Sequence, residues 1–210
     1  MENKIDNISR LEKVKIFFKN NIKYIISLII ILLLFIGGME FYKYNEIKKI
    51  KDISKSYFKA IENLYVEETD SVNLLKQISN TKNGYSLMAS MKLVDIYLSN
   101  KNYDKAYDEY MIIINKKEIE PIYKDLIILH ASYNLINNID SNKIHVLIEY
   151  TNIEESEFKS HFYEVKFINS IDNISLNKLN KLNNYIQDDL DIIKSVKLRV
   201  NKINEYLQHK

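Results

Sequence analysis

The sequence of 210 residues contains no cysteine and no tryptophan, one proline and three glycines. Without cysteine the chain has no disulfide, no thiolate metal site and no thiol nucleophile. Tight β-hairpin turns usually rely on glycine, asparagine and proline at fixed positions, so the scarcity of glycine and proline disfavours a sheet built from such turns. The composition therefore predicts an all-α fold.

Charge is nearly balanced, with 30 lysines and arginines against 28 aspartates and glutamates and a formal net charge of +2. The basic excess lies in the first 59 residues, and the rest of the chain carries more acidic than basic groups. A folded part with that balance lacks the basic surface expected of a nucleic-acid-binding protein.

One uncharged apolar run extends over residues 24–39. As a helix it reaches about 24 Å, somewhat short of a hydrocarbon core of about 30 Å. Flanking side chains can cover the shortfall, because aromatic rings settle at headgroup level and lysines extend their ammonium groups outward. These flanking residues are Lys23, Tyr24, Phe41, Tyr42, Lys43 and Tyr44. The run predicts a single transmembrane helix.

A cleaved signal peptide is the alternative for this run. The strictest apolar core, Ile25 to Ile36, has the length of a signal h-region, and two small residues follow it. Two features favour a retained anchor. More than 20 residues precede the core, and cleavage after Gly38 would place the bulky Ile36 where a small residue is needed.

The orientation of the span depends on the basic tail, residues 1–23. Its basic residues are Lys4, Arg10, Lys13, Lys15, Lys19 and Lys23. The positive-inside bias is slight, because four lysines also follow the span between residues 40 and 54. A short basic tail resists crossing, however, whereas a long domain is translocated largely regardless of its charge. We therefore predict a cytoplasmic N-terminus and a C-terminal domain on the far side of the membrane.

An exit helix is predicted over residues 40–66, where apolar residues recur at three- and four-residue steps. They are Phe41, Tyr44, Ile47, Ile50, Ile53, Tyr57, Ile61 and Leu64. Pairing of this stripe with a second copy gives one alternative function, a structural envelope module that self-associates through residues 41–64 without handling clients.

The remainder, residues 67–210, is predicted to be one helical domain of amphipathic segments separated by short polar breaks. The segments are 71–79, 84–99, 103–117, 121–137, 141–150, 154–170, 174–185 and 188–207. Three similar helix starts, at Asp104, Asn142 and Asn177, are 38 and then 35 residues apart. That period is typical of a helical-hairpin array, although a chain rich in Ile, Lys and Asn can also match itself by chance.

The first copy of this repeat is the clearest. Its pattern consists of Leu93, Tyr97, Tyr103, Ala106 and Tyr110. The spacing resembles the tetratricopeptide repeat, in which a small residue lets paired helices approach and large residues fill the space between hairpins. Val94 and Lys101 stand where that repeat usually has glycine, and the later copies diverge further. The predicted fold is thus all-α, with one transmembrane helix followed by a tetratricopeptide-like α-solenoid.

The whole architecture resembles the YfgM-type ancillary translocon subunits. The resemblance rests on the basic tail, span, exit helix and repeats, with Pro121-Ile122-Tyr123-Lys124-Asp125-Leu126 before Leu129-His130-Ala131. Tyr163-Glu164-Val165 and the segment 188–200 resemble the C-terminal helices of that family. The resemblance implies a single-pass protein of the bacterial inner membrane with a periplasmic domain. It also implies association with the SecYEG translocon and with periplasmic chaperones such as PpiD.

No residue pattern in the sequence predicts catalysis. The four histidines lack metal-ligand spacing, and adjacent carboxylates such as Glu154 and Glu155 point in different directions on a helix. We therefore predict no enzyme activity, no cofactor and no metal.

Partner binding is predicted on the first helix of each hairpin, which lines the concave face of such arrays. The repeat register selects Met91, Asp95, Leu129 and Tyr133 as partner contacts. Methionine suits variable apolar partners. The tyrosines at repeat spacing, namely Tyr57, Tyr97, Tyr103, Tyr107 and Tyr110, are predicted to fill the space between helices.

Overall fold

This computed structural model describes the backbone of residues 2–209 and the side chains of residues 12–209. Those residues form nine α-helices and one short 3₁₀ helix, and they contain no strand. The helices are α1 Glu2–Glu62, α2 Glu68–Ser79, α3 Gly84–Ser99, α4 Tyr103–Ile114, α5 Pro121–Leu135, α6 Ser141–Glu149, the 3₁₀ helix Ile153–Glu155, α7 Lys159–Ser170, α8 Leu176–Asp188 and α9 Lys194–Gln208. The all-α prediction is confirmed.

Helix α1 contains the predicted span and residues 40–62 of the predicted exit helix without a break. By length and composition it can cross a membrane, and the apolar side chains of its span are exposed. The side chains of Lys4 and Arg10 in the predicted basic tail lie outside the described residues. The helix ends at Glu62, before the predicted residue 66, and residues 63–66 form a turn in which Leu64 N–H donates to the Ile61 carbonyl and Val66 N–H to the Asn63 carbonyl.

The chain divides into two compact units, Met1–Lys55 and Ser56–Lys210. The second unit begins inside the predicted exit helix and before the predicted domain start at residue 67. The reason is that Tyr57 and Ala60 are buried, and the Tyr57 ring centroid lies 5.7 Å from that of Tyr85 on α3. The last residues of α1 therefore pack as part of the repeat unit.

The apolar stripe of residues 41–64 divides into an exposed part and a packed part. Each three-residue step rotates the position by about 60° on an α-helix, so a run of such steps winds around the helix. The first four members of the stripe are separated by three-residue steps and are exposed. They are Phe41, Tyr44, Ile47 and Ile50. Four-residue steps then bring Ile53, Tyr57 and Ile61 to one side, and this side is the packed one.

Successive helices of the second unit pack against one another as stacked hairpins. Contacts join α2 with α3, α3 with α4, α4 with α5, α5 with α6, α6 with α7, and α8 with α9. Helix α7 also contacts α5, α8 and α9. The contacts of α7 with α5 and α9 join every second helix, as expected when the first helices of consecutive hairpins lie side by side.

Local sequence explains several of the helix ends. The Asn83 side chain accepts a hydrogen bond from Tyr85 N at 3.0 Å and caps α3, and Pro121 is the first residue of α5. Helix α3 has the predicted bounds. The segment predicted as 154–170 is instead a 3₁₀ helix followed by α7, and α9 begins at Lys194, after the predicted residue 188.

The core of the repeat unit contains both small and large buried side chains. Ala89, Ala106 and Ala131 are fully buried, which allows close approach of helix backbones, and Tyr110 is the largest of the fully buried side chains. Tyr57 and Tyr97 are also buried, while Tyr103 and Tyr107 are half-buried. A further apolar cluster joins α7, α8 and α9 around Phe167, Ile186 and Val196.

Candidate partner-binding face

We use the name first-helix face for solvent-accessible side chains on corresponding sides of α3 and α5, the first helices of two consecutive hairpins. It consists of Met88, Met91, Asp95, Ile122, Leu126 and Tyr133. Within each helix these residues share one side, because their spacings are close to whole helical turns. Between helices the 38-residue offset aligns Met88 with Leu126, and Asp95 with Tyr133. Met88 is 47% exposed and Leu126 is 43% exposed.

The structure places the four predicted contact residues differently. Asp95 is exposed, Tyr133 is 41% exposed and Met91 is half-buried. Leu129 is only 6% exposed, so it packs inside the array and offers little area to a partner.

Sequence reasoning missed three apolar members of this face: Met88, Ile122 and Leu126. One further helical turn before Met91 and Leu129 would have selected Met88 and Leu126, and a second turn before Leu129 would have selected Ile122.

Asp95 lies near tyrosine hydroxyl groups of two other helices. Within residues 12–209 it makes no ion pair. Burial, and then the Asp95 carboxylate, raise the pKa of Tyr57 on α1 and of Tyr110 on α4. Both phenols therefore stay protonated near neutral pH. The Tyr110 hydroxyl also lies 2.6 Å from His130 Nδ1, which ties α4 to α5.

A buried carboxylate connects the far end of the face to the last helix. Glu164 of α7 is 4% exposed. Arg199 of α9 donates from Nε to Oε1 at 2.5 Å and from Nη2 to Oε2 at 2.6 Å. The Tyr133 hydroxyl donates to Oε2 at 2.9 Å. We call these three residues the Tyr133–Glu164–Arg199 cluster.

Opposing effects act on the pKa of Glu164. Burial alone raises it, but the hydrogen bonds from Arg199 and Tyr133 lower it by more, so the net pKa is below the usual value. Burial, and then the Glu164 carboxylate, raise the pKa of Tyr133. His161 completes the surroundings, with Nδ1 3.4 Å from the Tyr133 hydroxyl and 3.8 Å from Glu164 Oε2.

Sequence reasoning did not find this cluster, although composition carries a signal for it. The chain has two arginines, Arg10 and Arg199, among 30 basic residues. The planar guanidinium makes two parallel hydrogen bonds to a carboxylate, which a lysine ammonium cannot do. In so lysine-rich a chain, an arginine marks a position where that geometry is used.

A separate cavity lies at the turn between α2 and α3 and the end of α4. Its volume is about 560 Å³, and its lining includes Ser79, Ser86 and Lys116. Lys116 Nζ donates to the Ser79 carbonyl at 3.1 Å and to Ser86 Oγ at 2.6 Å, and burial lowers its pKa. The lysine thus joins two helix ends. Across residues 12–209, no three His, Asp or Glu side chains converge as a metal site would require.

Comparison with known families matches residues 15–165 to the tetratricopeptide repeat-like domain. The chain belongs to this family. No curated protein and no solved structure matches it significantly. The match to the tetratricopeptide repeat-like domain ends within α7, so α8 and α9 lie beyond it. The predicted tetratricopeptide-like array is confirmed, and membership of this family indicates a scaffold for protein–protein interaction.

Proposed function

We propose that this protein is a membrane-tethered scaffold that holds apolar polypeptide segments on the first-helix face. The observation that carries the proposal is the exposure of apolar side chains at corresponding repeat positions of α3 and α5, including Met88, Leu126 and Tyr133. Repeat arrays bind other proteins on the face formed by their first helices. Exposed apolar side chains that cluster on such a face, rather than being scattered singly, favour a binding role.

The tether gives the scaffold its place of action. Helix α1 joins an apolar span covalently to the repeat unit, and such a tether raises the effective concentration of the repeat unit for partners in the same membrane. With the resemblance to YfgM-type subunits, we place the protein in the bacterial inner membrane, with the N-terminus in the cytoplasm and the repeats in the periplasm. Its proposed partners are SecYEG and a chaperone such as PpiD.

The proposed role is binding without catalysis and without a cofactor. Two polar groups near the face hold helices together, since Glu164 accepts from Arg199 and Tyr133, and His130 lies against Tyr110. A chaperone-associated scaffold needs only an accessible apolar face and a tether.

Self-association through residues 41–64 is less well supported as a main function. Tyr57, one member of that stripe, is buried against Tyr85 of its own chain. In a parallel pair with Tyr44 and Ile47 at the seam, Lys43 of one copy would face Lys48 of the other. Like charges at these positions oppose the pairing.

Binding of an unfolded chain tests the proposal. The full-length protein in zwitterionic lipid nanodiscs would be titrated with reduced and carboxymethylated α-lactalbumin, a permanently unfolded chain, and empty nanodiscs would be subtracted. We expect Met91→Glu or Leu126→Glu to raise Kd by about tenfold, because a carboxylate replaces apolar contact area. Tyr133→Ala should also weaken binding.

The matched control for these variants is Val146→Glu, which places the same charge on an exposed apolar position of the second helix of a hairpin. We expect it to bind as the wild type does. An equal loss in Val146→Glu, or no binding by the wild-type protein, would contradict the proposed function.

A further inference from the structure

We propose that Arg199 is a positioning residue for partner binding, which holds Tyr133 in place on the first-helix face through Glu164. The inference rests on the function proposed above and extends its site to α9, a helix beyond the family match.

The geometry joins three helices through one carboxylate. Arg199 of α9 engages both oxygens of Glu164, and Oε2 also accepts from the Tyr133 hydroxyl of α5. Each oxygen of this buried group therefore has a donor, and the charged donor is the arginine. A carboxylate with its charge retained is a stronger acceptor than a neutral acid, so Arg199 strengthens the bond that Tyr133 makes.

The hydrogen bond fixes the direction of the Tyr133 ring. A phenol has one proton to donate, and here it points to Glu164 at 2.9 Å. In the tautomer that leaves Nδ1 without a proton, His161 Nδ1 is the alternative acceptor, 3.4 Å from the same hydroxyl. Without Arg199 the buried Glu164 would take up a proton more readily, and the Tyr133 hydroxyl could turn to His161. The Tyr133 ring would then move, and the surface that it offers to a partner would move with it.

Helix α9 also supplies the control for this inference. Lys202 lies one turn further along α9, is exposed and makes no ion pair with any side chain of residues 12–209. Arg199→Met and Lys202→Met remove the same charge from the same helix, but only the first removes a donor from Glu164.

The test combines a spectroscopic reading of Tyr133 with binding. The full-length chain in nanodiscs would carry 3-fluorotyrosine at position 133, and binding of reduced and carboxymethylated α-lactalbumin would be measured in parallel. We expect Arg199→Met to shift or broaden the ¹⁹F signal and to raise Kd about fivefold. Lys202→Met should change neither. Arg199→Lys should be intermediate, because an ammonium cannot reproduce the two-pronged contact.

Combining the Tyr133 and Arg199 variants distinguishes a positioning role of Arg199 from a general loss of structure. Tyr133→Phe keeps the ring but removes the hydroxyl, so it should weaken binding about as much as Arg199→Met does. The double variant should then bind no more weakly than either single variant. If Arg199→Met does not fold, Arg199→Lys carries the same comparison, since it keeps the positive charge.

Two results would overturn the inference: an unchanged ¹⁹F signal in the Arg199 variants, or losses of binding that add fully in the double variant. Failure of the proposed function has a different signature. In that case Met91→Glu and Leu126→Glu would bind as the wild type does, whatever happens at Arg199.

Discussion

Glu164 shows how a single side chain adjusts both the stability and the surface of this protein. Its folded-state pKa is lowered, since the hydrogen bonds from Arg199 and Tyr133 outweigh burial. Such a group stabilises the fold above its unfolded pKa, near 4.5, and that contribution is lost as pH falls through the folded pKa. Acid should therefore loosen the contact between α5, α7 and α9.

We predict that Glu164→Gln lowers the free energy of unfolding at pH 7 by about 2 kcal/mol, since it removes the charge from the acceptor that Arg199 and Tyr133 share. Below pH 4.5 the difference from wild type should shrink. Urea unfolding at several pH values between 3 and 7 measures this. Glu154 and Asp189, whose pKa values are lowered by other partners, contribute pH dependence of the same sign in both proteins. An identical pH profile in both proteins would contradict the prediction.

At the residue level, the sequence predicted which positions of a helix are exposed better than it predicted which side chains form pairs. The repeat register selected Asp95 and Tyr133, which are exposed, but also Leu129, which is buried. Glu164 and Arg199 are 35 residues apart. No local sequence pattern indicates that these two side chains form a pair, because glutamate is common on helix surfaces and the arginine lies on a distant helix. The pairing depends on how α7 and α9 pack.

Among the connections between helices, the turn between α3 and α4 carries an unusual backbone conformation. Lys101 has a φ of 56°, in the left-handed region. This is the position where the tetratricopeptide pattern usually has glycine. A side chain in that region costs about 1–2 kcal/mol, whereas glycine loses about 0.5–1 kcal/mol in chain entropy on folding.

We therefore predict that Lys101→Gly raises the free energy of unfolding by about 0.5–1 kcal/mol. The measurement is thermal or urea unfolding of the full-length protein. Lys105→Gly is the matched control, because it makes the same exchange at an exposed position inside α4. It should destabilise by about 1 kcal/mol. Destabilisation by Lys101→Gly of similar size would show that the turn carries no such strain.

Helix boundaries were predictable where a residue at the boundary itself determines the helix start, and not where contacts with residues far along the chain determine it. Asn83 and Pro121 mark their helix starts in the sequence, and α3 and α5 begin where predicted. The break before α7 depends on Asp125, which accepts hydrogen bonds from Thr151 and Ser156. The late start of α9 accompanies ion pairs from Lys159 to Asp189 and Asp191. Such contacts join residues that the sequence keeps far apart.

For the molecule as a whole, the account predicts which neighbours the repeat unit meets. A photoreactive residue at Leu126, on the first-helix face, should crosslink in cells to SecYEG subunits, to a chaperone such as PpiD or to exported chains. The same residue at Val146, on a second helix, should give few such products. Equal products from both positions, or products formed only between copies of this protein, would contradict a role in holding polypeptide.

The most direct test of a tethered scaffold outside the cytoplasm is the side of the membrane on which the repeats lie. A reporter that is active only in the periplasm would be fused after Lys210, and the mass of the mature protein would be measured. We expect an active reporter on a full-length chain. An inactive reporter would place the repeats in the cytoplasm and contradict the account, whereas an active reporter on a chain lacking about 38 N-terminal residues would replace the anchor with a cleaved signal peptide.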